Sequence, residues 1–320
     1  MSHQTQPVRV LYIAGTGRSG TTIFSNLLGQ VPGCLAAGEV RYAWERGLLQ
    51  NHRCGCGEPF DRCPLWTVVM AEAFPSGPPP DAVSRARRLD RRIRVRQLPR
   101  MLLRHLRGLP AHDRHPDDAD ILRLYSALSA QPGVHTIVDS SKSPPYGMLL
   151  ASLPGIELHV AHVVRDPRAN AFSWRRTKTT RDTDERQEMD RLEVWRSAVL
   201  WVLFHWLIPY WWPATSGSRI LVRYEDLVQD PAATLDAVLK TIDTSLPPDV
   251  LDGRFVTLAP THSVAGNPAR HDTGAVELRV DDEWCRKMPL TERLLVTAIT
   301  APLLHRFGYS ARAGLSRRAA

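Results

Sequence analysis

The residues of this sequence with the clearest chemical potential form one short loop. The loop consists of Gly15, Thr16, Gly17, Arg18, Ser19, Gly20, Thr21 and Thr22. Successive backbone N–H groups in a glycine-rich turn, followed by the positive end of a helix dipole, create a site for an anion. The sequence therefore predicts a phosphate-binding loop. The simpler alternative is a glycine turn that only joins a strand to a helix.

One position of this loop departs from the nucleotide-triphosphatase P-loop, whose spacing it shares. Those enzymes have a lysine before the final hydroxyl residue, and this chain has Thr21 there. Their lysine reaches the β- and γ-phosphates, and the hydroxyl after it holds Mg²⁺. The cation inside the present loop is Arg18. Because a guanidinium suits a less highly charged group, the loop favours a sulfonate bonded to a single phosphate, and we expect no metal in the reaction.

The loop needs a strand before it and a helix after it, and the flanking sequence predicts both. Residues 8–14 form an apolar run typical of a buried parallel strand, and residues 22–28 begin a helix. Further strands are predicted at 134–138, 156–164 and 219–223, each followed by a polar cluster. Ligands of open parallel sheets gather at the carboxyl ends of strands, so these clusters should lie beside the loop. We expect a three-layer, P-loop-like α/β fold with a central, mainly parallel sheet flanked by helices.

Together with two later clusters, the loop resembles that of the sulfotransferases that use 3′-phosphoadenosine-5′-phosphosulfate (PAPS). Residues 18–22, Arg-Ser-Gly-Thr-Thr, match the family's first signature. Arg165 and Ser173 match the pair that grips the 3′-phosphate. Tyr224 lies in a Tyr-Glu-Asp-Leu run that is near the adenine in that family, where Phe24 is the alternative stacking partner. The resemblance implies that PAPS is the co-substrate and that adenosine 3′,5′-bisphosphate (PAP) is released.

A weaker match concerns Arg270, which follows a Gly-Asn-Pro-Ala stretch and resembles a residue of a glycine-containing loop at the 3′-phosphate. It is a further candidate contact for the co-substrate.

The same resemblance suggests the catalytic residues. Glu39 lies in a Gly-Glu-Val-Arg-Tyr stretch similar to the one that carries the general base of carbohydrate-type members; the alternative is a surface carboxylate paired with Arg41. Lys142 resembles the lysine at the donor–acceptor junction. Small-molecule members have a histidine two residues after that lysine, and this chain has Pro144. The resemblance thus implies in-line transfer to a hydroxyl, with Glu39 as base and with Arg18 and Lys142 facing the developing charge.

The composition fits one domain over residues 1–320. With 43% hydrophobic residues, a chain of 320 residues can bury one sizeable α/β core. We expect a single sulfotransferase-like domain with an arginine-rich helical insertion at about 75–130. Residues 1–7 are polar and unlike a signal segment, so a cytoplasmic location is expected. The expected partner is a small-molecule, sugar or lipid-linked alcohol, without nucleic acid, and the oligomeric state stays open.

Two segments could instead make peripheral contact with a membrane or another anionic surface. Residues 81–107 contain ten arginines and two aspartates, and so carry a charge equal to the net +8 of the whole chain. They predict a helix interrupted near Pro99, which is either a solvated face or a lid that attracts an anionic acceptor, lipid or polyanion. The tryptophan-rich segment 195–212 is either a core helix or an interfacial surface, and its apolar part is too short for a membrane span.

The cysteines leave several interpretations open. Cys54, Cys56 and Cys63, with His52 just upstream, could bind zinc or form a disulfide, although the spacing lacks two paired Cys-x-x-Cys units. Otherwise they are thiols of a compact loop in a reducing compartment.

Two other functions compete with sulfuryl transfer. A P-loop kinase or NTPase would need Mg²⁺ and a cation in place of the lysine, and its affinity would follow the γ-phosphate. A non-catalytic binder of polyanions or membranes would act through residues 81–107, and salt would weaken its binding.

Overall fold

A parallel sheet of five strands forms the centre of the computed structural model, which describes residues 6–183, 188–213 and 218–311. The strand order is β2-β3-β1-β4-β5, and all neighbouring strands are parallel. The strands are β1 (Val8–Gly15), β2 (Cys34–Gly38), β3 (Thr136–Lys142), β4 (Ile156–Val164) and β5 (Arg219–Arg223). The predicted α/β fold with a mainly parallel central sheet is confirmed.

β1 lies in the middle of the sheet, and its sequence explains this position. Every residue of β1 except Arg9 is buried. Val10 and Tyr12 pack in one buried cluster, whereas Leu11 and Ile13 pack in another. The strand is therefore covered on both faces, which is why it is a continuous apolar run rather than an alternating one.

β3 differs from the predicted strand at 134–138. It runs from Thr136 to Lys142 and includes the polar cluster that was expected to follow it. Asp139 is fully buried and accepts hydrogen bonds from the backbone N–H of Ser141 (2.8 Å) and from its hydroxyl (2.6 Å). These bonds allow polar residues to continue a buried strand. As a result Lys142 lies at the carboxyl end of β3.

Helices cover both faces of the sheet. They are α1 (Thr21–Leu28), α2 (Pro64–Ala73), α3 (Ala82–Arg92), α4 (Leu98–Leu106), α5 (Asp118–Ser129), α6 (Pro144–Ala151), α7 (Pro167–Arg175), α8 (Val194–Trp211), α9 (Tyr224–Gln229), α10 (Pro231–Lys240), α11 (Trp284–Lys287) and α12 (Leu290–Leu304). A small antiparallel sheet, which the sequence did not predict, is formed by β6 (Leu251–Asp252), β7 (Phe255–Leu258) and β8 (Gly274–Glu277).

The arginine-rich segment is helical, but its interruption comes before Pro99. α3 ends at Arg92 and α4 begins at Leu98, so Pro99 occupies the first turn of a new helix, where its missing N–H is not needed. Leu89 and Met101 are buried in the same cluster as Val10 of the sheet. The segment is thus packed onto the central core.

Much of the positive charge of this segment is balanced by aspartates that follow it in the chain. The ion pairs are Arg85–Asp120, Arg88–Asp117, Arg92–Asp118, Arg100–Asp113 and Arg104–Asp113. These aspartates lie outside residues 81–107, so the charge of +8 carried by that range does not include them. The paired arrangement supports a solvated face more than a free cationic lid.

The tryptophan-rich segment forms α8, which buries one side and exposes the other. Trp201, His205 and Trp211 are buried, whereas Trp195 and Trp206 are 48% and 45% exposed. The buried side fits the core-helix interpretation. Among the described residues, no helix combines the length and the apolar character needed to cross a membrane.

Candidate active site

Two aromatic rings pack against the loop after β1 and leave no space for side chains at its glycines. A Cβ atom at Gly20 would lie 2.2 Å from Cδ2 of Tyr224, and one at Gly17 would lie 2.6 Å from Cζ2 of Trp174. Gly20 also has a φ of 81°, in the left-handed region that favours glycine. Both glycines are therefore required by the fold, and they hold the loop backbone close to the start of α1.

Asn170 of α7 fixes the loop from the side, although no sequence prediction named it. Its Nδ2 atom lies 2.7 Å from the carbonyl oxygen of Gly17 and 3.0 Å from the hydroxyl of Ser19. Ser197 of α8 donates its hydroxyl to Asn170 Oδ1 at 3.1 Å. Asn170 lies within the stretch that resembles the family's second signature, between Arg165 and Ser173. That position was the available signal for a role beside the loop.

Arg18 and Arg165 lie next to each other beside the loop. Arg165 donates from Nη1 to the carbonyl oxygen of Arg18 (3.1 Å), and its guanidinium lies 4.5 Å from the ring centre of Tyr224. Arg18 lies 5.0 Å from the ring centre of Trp174 and has a φ of 67°, which is rare for a residue other than glycine. Within the described part of the chain, the buried Nη1 of Arg18 has no hydrogen-bond partner. That nitrogen therefore lacks the acceptor that an anionic ligand would supply.

Two further cations extend this pair into a cluster. The cation cluster consists of Arg18, Arg165, Arg176 and Lys178. Asp281 pairs with Arg165 at 3.2 Å and also with Arg176, and Glu283 pairs with Arg176 at 2.5 Å. Burial and the surrounding positive charges lower the pKa of Lys178. The cluster keeps more positive than negative charge, so an anion would stabilise it.

Glu39 and Lys142 form a buried ion pair at the carboxyl ends of β2 and β3. Lys142 Nζ donates to Glu39 Oε1, and the two side chains are only 13% and 12% exposed. Burial alone would raise the pKa of Glu39, but Lys142 and Arg41 outweigh it and hold this pKa below the ordinary value of 4.5. Burial also lowers the pKa of Lys142. Glu39 is thus an ionised, buried carboxylate and not the surface carboxylate of the alternative interpretation.

A hydrogen-bond network around Asp139 holds this pair in place. Ser141 donates its hydroxyl to Asp139 and accepts from the backbone N–H of Arg41 at 3.2 Å. Tyr125 also donates its hydroxyl to Asp139. Burial raises the pKa of Asp139 to about 6. The network connects β3 to the backbone two residues after Glu39, and so it fixes the relative position of the two charged side chains.

Gly266 marks the place where Glu39 and the loop meet. A Cβ atom at Gly266 would lie 3.6 Å from Glu39 Oε1 and 3.9 Å from the hydroxyl of Thr22. The backbone N–H of Glu39 donates to the carbonyl oxygen of Ala265 at 3.4 Å. The carboxylate therefore lies close to the last residue of the anion loop, at the start of α1.

Arg270, a candidate co-substrate contact from the sequence, makes three hydrogen bonds within the protein. Its side chain is 1% exposed, and its guanidinium donates to the carbonyl oxygens of Ser263 (2.6 Å) and Arg53 (2.6 Å) and to Asp182 Oδ1 (2.6 Å). These protein oxygens occupy its terminal nitrogens. The short local match could not reveal them, because two of the three partners are far away in the chain. Arg270 positions the backbone before Gly266.

Tyr224 packs on the anion loop, and Ser173 lies on the helix whose Asn170 and Trp174 contact that loop. Ser173 is 3% exposed and follows Asn170 by about one turn of α7. Tyr224 begins α9, packs its ring on Gly20, and donates its hydroxyl to the carbonyl oxygen of Arg279 at 3.3 Å. Phe24 is completely buried in the core, so it has no surface to offer to an adenine.

A comparison with protein families agrees with this geometry. The profile of the sulfotransferase family matches residues 11–248, which is most of the chain. The chain belongs to the sulfotransferase family. The matched range contains the anion loop, the ion pair of Glu39 and Lys142, and the cation cluster. The segment around Gly266 and Arg270 lies outside it.

Two solved sulfotransferase domains have a similar fold. The domain from the curacin biosynthetic pathway is 14% identical, with a TM-score of 0.52, and the alignment covers 96% of this chain and 99% of that chain. The domain from a Synechococcus olefin synthase is 16% identical, also with a TM-score of 0.52, and the alignment covers 97% and 98%. The comparison with curated proteins found no match. At these identities the likeness concerns the fold alone.

Proposed function

We propose that this sulfotransferase moves a sulfuryl group from PAPS to a hydroxyl of a small-molecule, sugar or lipid-linked acceptor and releases PAP. The observation that carries the proposal is the cluster of four cations beside a loop without the P-loop lysine. The loop offers a place for one anionic group, and Arg165, whose guanidinium pairs with Asp281 in the free protein, would take a second in exchange for that pair. A nucleoside triphosphate would instead require a lysine, or an equivalent cation, near Thr21.

Each part of the donor has a candidate partner. The loop backbone and Arg18 would hold the phosphosulfate, since the loop N–H groups lie at the start of α1 and Arg18 has a free nitrogen. Arg165 and Ser173 would hold the 3′-phosphate, and Tyr224 would border the adenine. Because the 3′-phosphate is remote from the reacting sulfur, its partners select and position the donor.

When bound, PAPS supplies a sulfuryl group whose bond to the phosphate oxygen breaks as the acceptor oxygen bonds to sulfur. Glu39 accepts the proton of the acceptor hydroxyl, a contribution of typically 10²–10⁴-fold in rate, to order of magnitude. Lys142 and Arg18 donate hydrogen bonds to the oxygens on which negative charge increases. Removing one such preorganised donor typically costs about 3–4 kcal/mol of transition-state stabilisation.

The ion pair of Glu39 and Lys142 sets the protonation state of the base. It keeps Glu39 ionised, but an ion-paired carboxylate is a weak base. A sulfonate oxygen beside Lys142 would offer its ammonium a second partner. The pKa of Glu39 would then rise towards its ordinary value, which makes the carboxylate a stronger base when the donor is present.

Calorimetry with PAP, AMP and ATP tests the identity of the donor. We expect PAP to bind about 100-fold more tightly than AMP, since a charged hydrogen-bonded phosphate typically contributes about 2–3 kcal/mol. Equal affinities for PAP and AMP would contradict the proposal. Mg²⁺-dependent affinity for ATP would indicate a kinase or NTPase instead.

Incubation of the protein with labelled PAPS and host extract tests the reaction. Mass spectrometry should then detect an added sulfate on an alcohol. Salt-sensitive binding to heparin or anionic vesicles, without sulfuryl transfer to any component, would favour the non-catalytic function.

Replacement of Lys178 tests whether the cation cluster binds the donor or has only a structural role. The lowered pKa of Lys178 means that the charged lysine, which is the form present at neutral pH, is unfavourable in the free fold. Lys178→Met should therefore raise the melting temperature of the free protein and weaken PAP binding about tenfold. Differential scanning fluorimetry and calorimetry measure the two effects.

The matched control is Lys240→Met, at an exposed lysine of α10, which should change neither the melting temperature nor PAP binding. Unchanged PAP affinity in Lys178→Met would exclude this lysine from the site.

A further inference from the structure

Three thiols and one imidazole from two distant segments converge at a single point. Cys54, Cys56 and Cys63 come from the segment before α2, and His262 comes from the segment between β7 and β8. Their ligand atoms all lie within 4.8 Å of one another. His52, the histidine considered from the sequence, lies instead 3.8 Å from Asp182. The fourth group was therefore missed because it is 199 residues away from Cys63.

The three separations that involve Cys63 have about the size expected around one tetrahedral metal ion. The Cys63 sulfur lies 3.4 Å from that of Cys54 and 3.7 Å from that of Cys56, and it lies 3.3 Å from Nδ1 of His262. With Zn–S bonds of about 2.3 Å and Zn–N bonds of about 2.0 Å, the edges of a tetrahedral site are about 3.5–3.8 Å long. Thiolate and imidazole ligands in this number are typical of zinc.

Local hydrogen bonds hold Cys54, the turn around Cys56 and His262 in position. The backbone N–H of Cys54 donates to the carbonyl oxygen of Glu58 (2.7 Å), and the backbone N–H of Gly57 donates to the carbonyl oxygen of Cys54 (2.8 Å). These two bonds close a tight turn around Cys56. Gly57 has a φ of 94°, which this turn requires. Across the cluster, Trp66 donates from Nε1 to the carbonyl oxygen of His262 (2.8 Å). The ligand set is thus built by the fold around it.

We propose that Cys54, Cys56, Cys63 and His262 bind one structural Zn²⁺ ion. Four protein ligands complete a tetrahedral shell, so the ion keeps no open position for a substrate or water. A disulfide explains the cluster less well, because three thiols cannot all pair and the imidazole would have no role.

The site connects the cysteine segment to the backbone beside the catalytic carboxylate. The N–H of Gly55 donates to the carbonyl oxygen of Ser263 (2.9 Å), and the N–H of Val264 donates to that of Ala37 (3.0 Å). The next residue, Ala265, accepts a hydrogen bond from the backbone N–H of Glu39 at 3.4 Å. The ion would therefore hold the segment 261–266 against β2 and Glu39. This inference does not depend on the proposed donor or acceptor.

Metal analysis of the purified full-length protein tests the proposal. We expect about one zinc per chain by plasma mass spectrometry, and its loss in Cys54→Ser and in His262→Ala. Cys34→Ser and Cys285→Ser are matched controls at cysteines outside the cluster, and they should keep the metal. Less than about 0.1 zinc per chain, or equal loss in the controls, would overturn the proposal.

Experiments on the unmutated protein keep the proposal testable if a variant fails to fold. Removal of zinc by a chelator should lower the melting temperature by on the order of 10 °C, and added Zn²⁺ should restore it. Replacement by Co²⁺ should produce the thiolate charge-transfer and tetrahedral d–d absorption bands of a cobalt site with sulfur ligands. An intact mass that lacks two hydrogens in the native chain would show a disulfide in place of the ion and contradict the assignment.

Discussion

Glu39→Gln should lower kcat by about 10²–10⁴-fold and leave PAP binding unchanged or slightly tighter. Glutamine has the same size as glutamate but cannot take the acceptor proton. It also removes the negative charge beside Lys142, so the buried ammonium has more to gain from an anionic donor. Single-turnover kinetics with PAPS and an identified acceptor, together with calorimetry for PAP, separate the two effects.

The matched control for this variant is Glu45→Gln, an exposed glutamate six residues further along the chain. It should retain normal turnover. Melting temperatures of both variants show whether the loss of the ion pair affects folding. Near-full activity of Glu39→Gln would mean that another group is the base. Weakened PAP binding with unchanged kcat would assign Glu39 to the donor site instead.

Arg165→Ala should weaken PAP binding about 100-fold, which corresponds to about 3 kcal/mol, with a much smaller effect on kcat at saturating PAPS. The guanidinium is 5% exposed, bonds to the carbonyl oxygen of Arg18 and lies over the ring of Tyr224. Its removal eliminates the proposed partner of the 3′-phosphate and one support of the loop. Since this phosphate is remote from the sulfur, the loss should appear mainly in KM.

Two other substitutions make the effect of Arg165 interpretable. Arg165→Lys should recover only part of the affinity, because a lysine keeps the charge but cannot bind both Arg18 and a phosphate with a planar guanidinium. Arg175→Ala, on the same helix as Ser173, removes an exposed arginine paired with Glu292 and should not change PAP binding. If AMP affinity fell as much as PAP affinity in Arg165→Ala, the 3′-phosphate would not be the group that Arg165 recognises.

The sequence predicted the parts of the site that depend on neighbouring residues. Glycine spacing and the apolar run before it predicted the strand, the anion loop and the helix, and these are the elements β1 and α1 of the fold. The α/β fold class followed from the same kind of local pattern, repeated along the chain. The family signatures around Arg165 and Glu39 were also recognisable because each occupies a few consecutive residues.

Only the tertiary structure could decide which of these residues meet. Lys142 pairs with Glu39 across 103 residues because β2 and β3 are neighbours in the sheet, and this order is not encoded in any short stretch. The same cause explains why the sequence could not reveal the protein partners of Arg270 and why His262 was overlooked. Periodicity and turn chemistry are set by local backbone preferences, whereas charge pairing and ligand convergence depend on the packing of the whole chain.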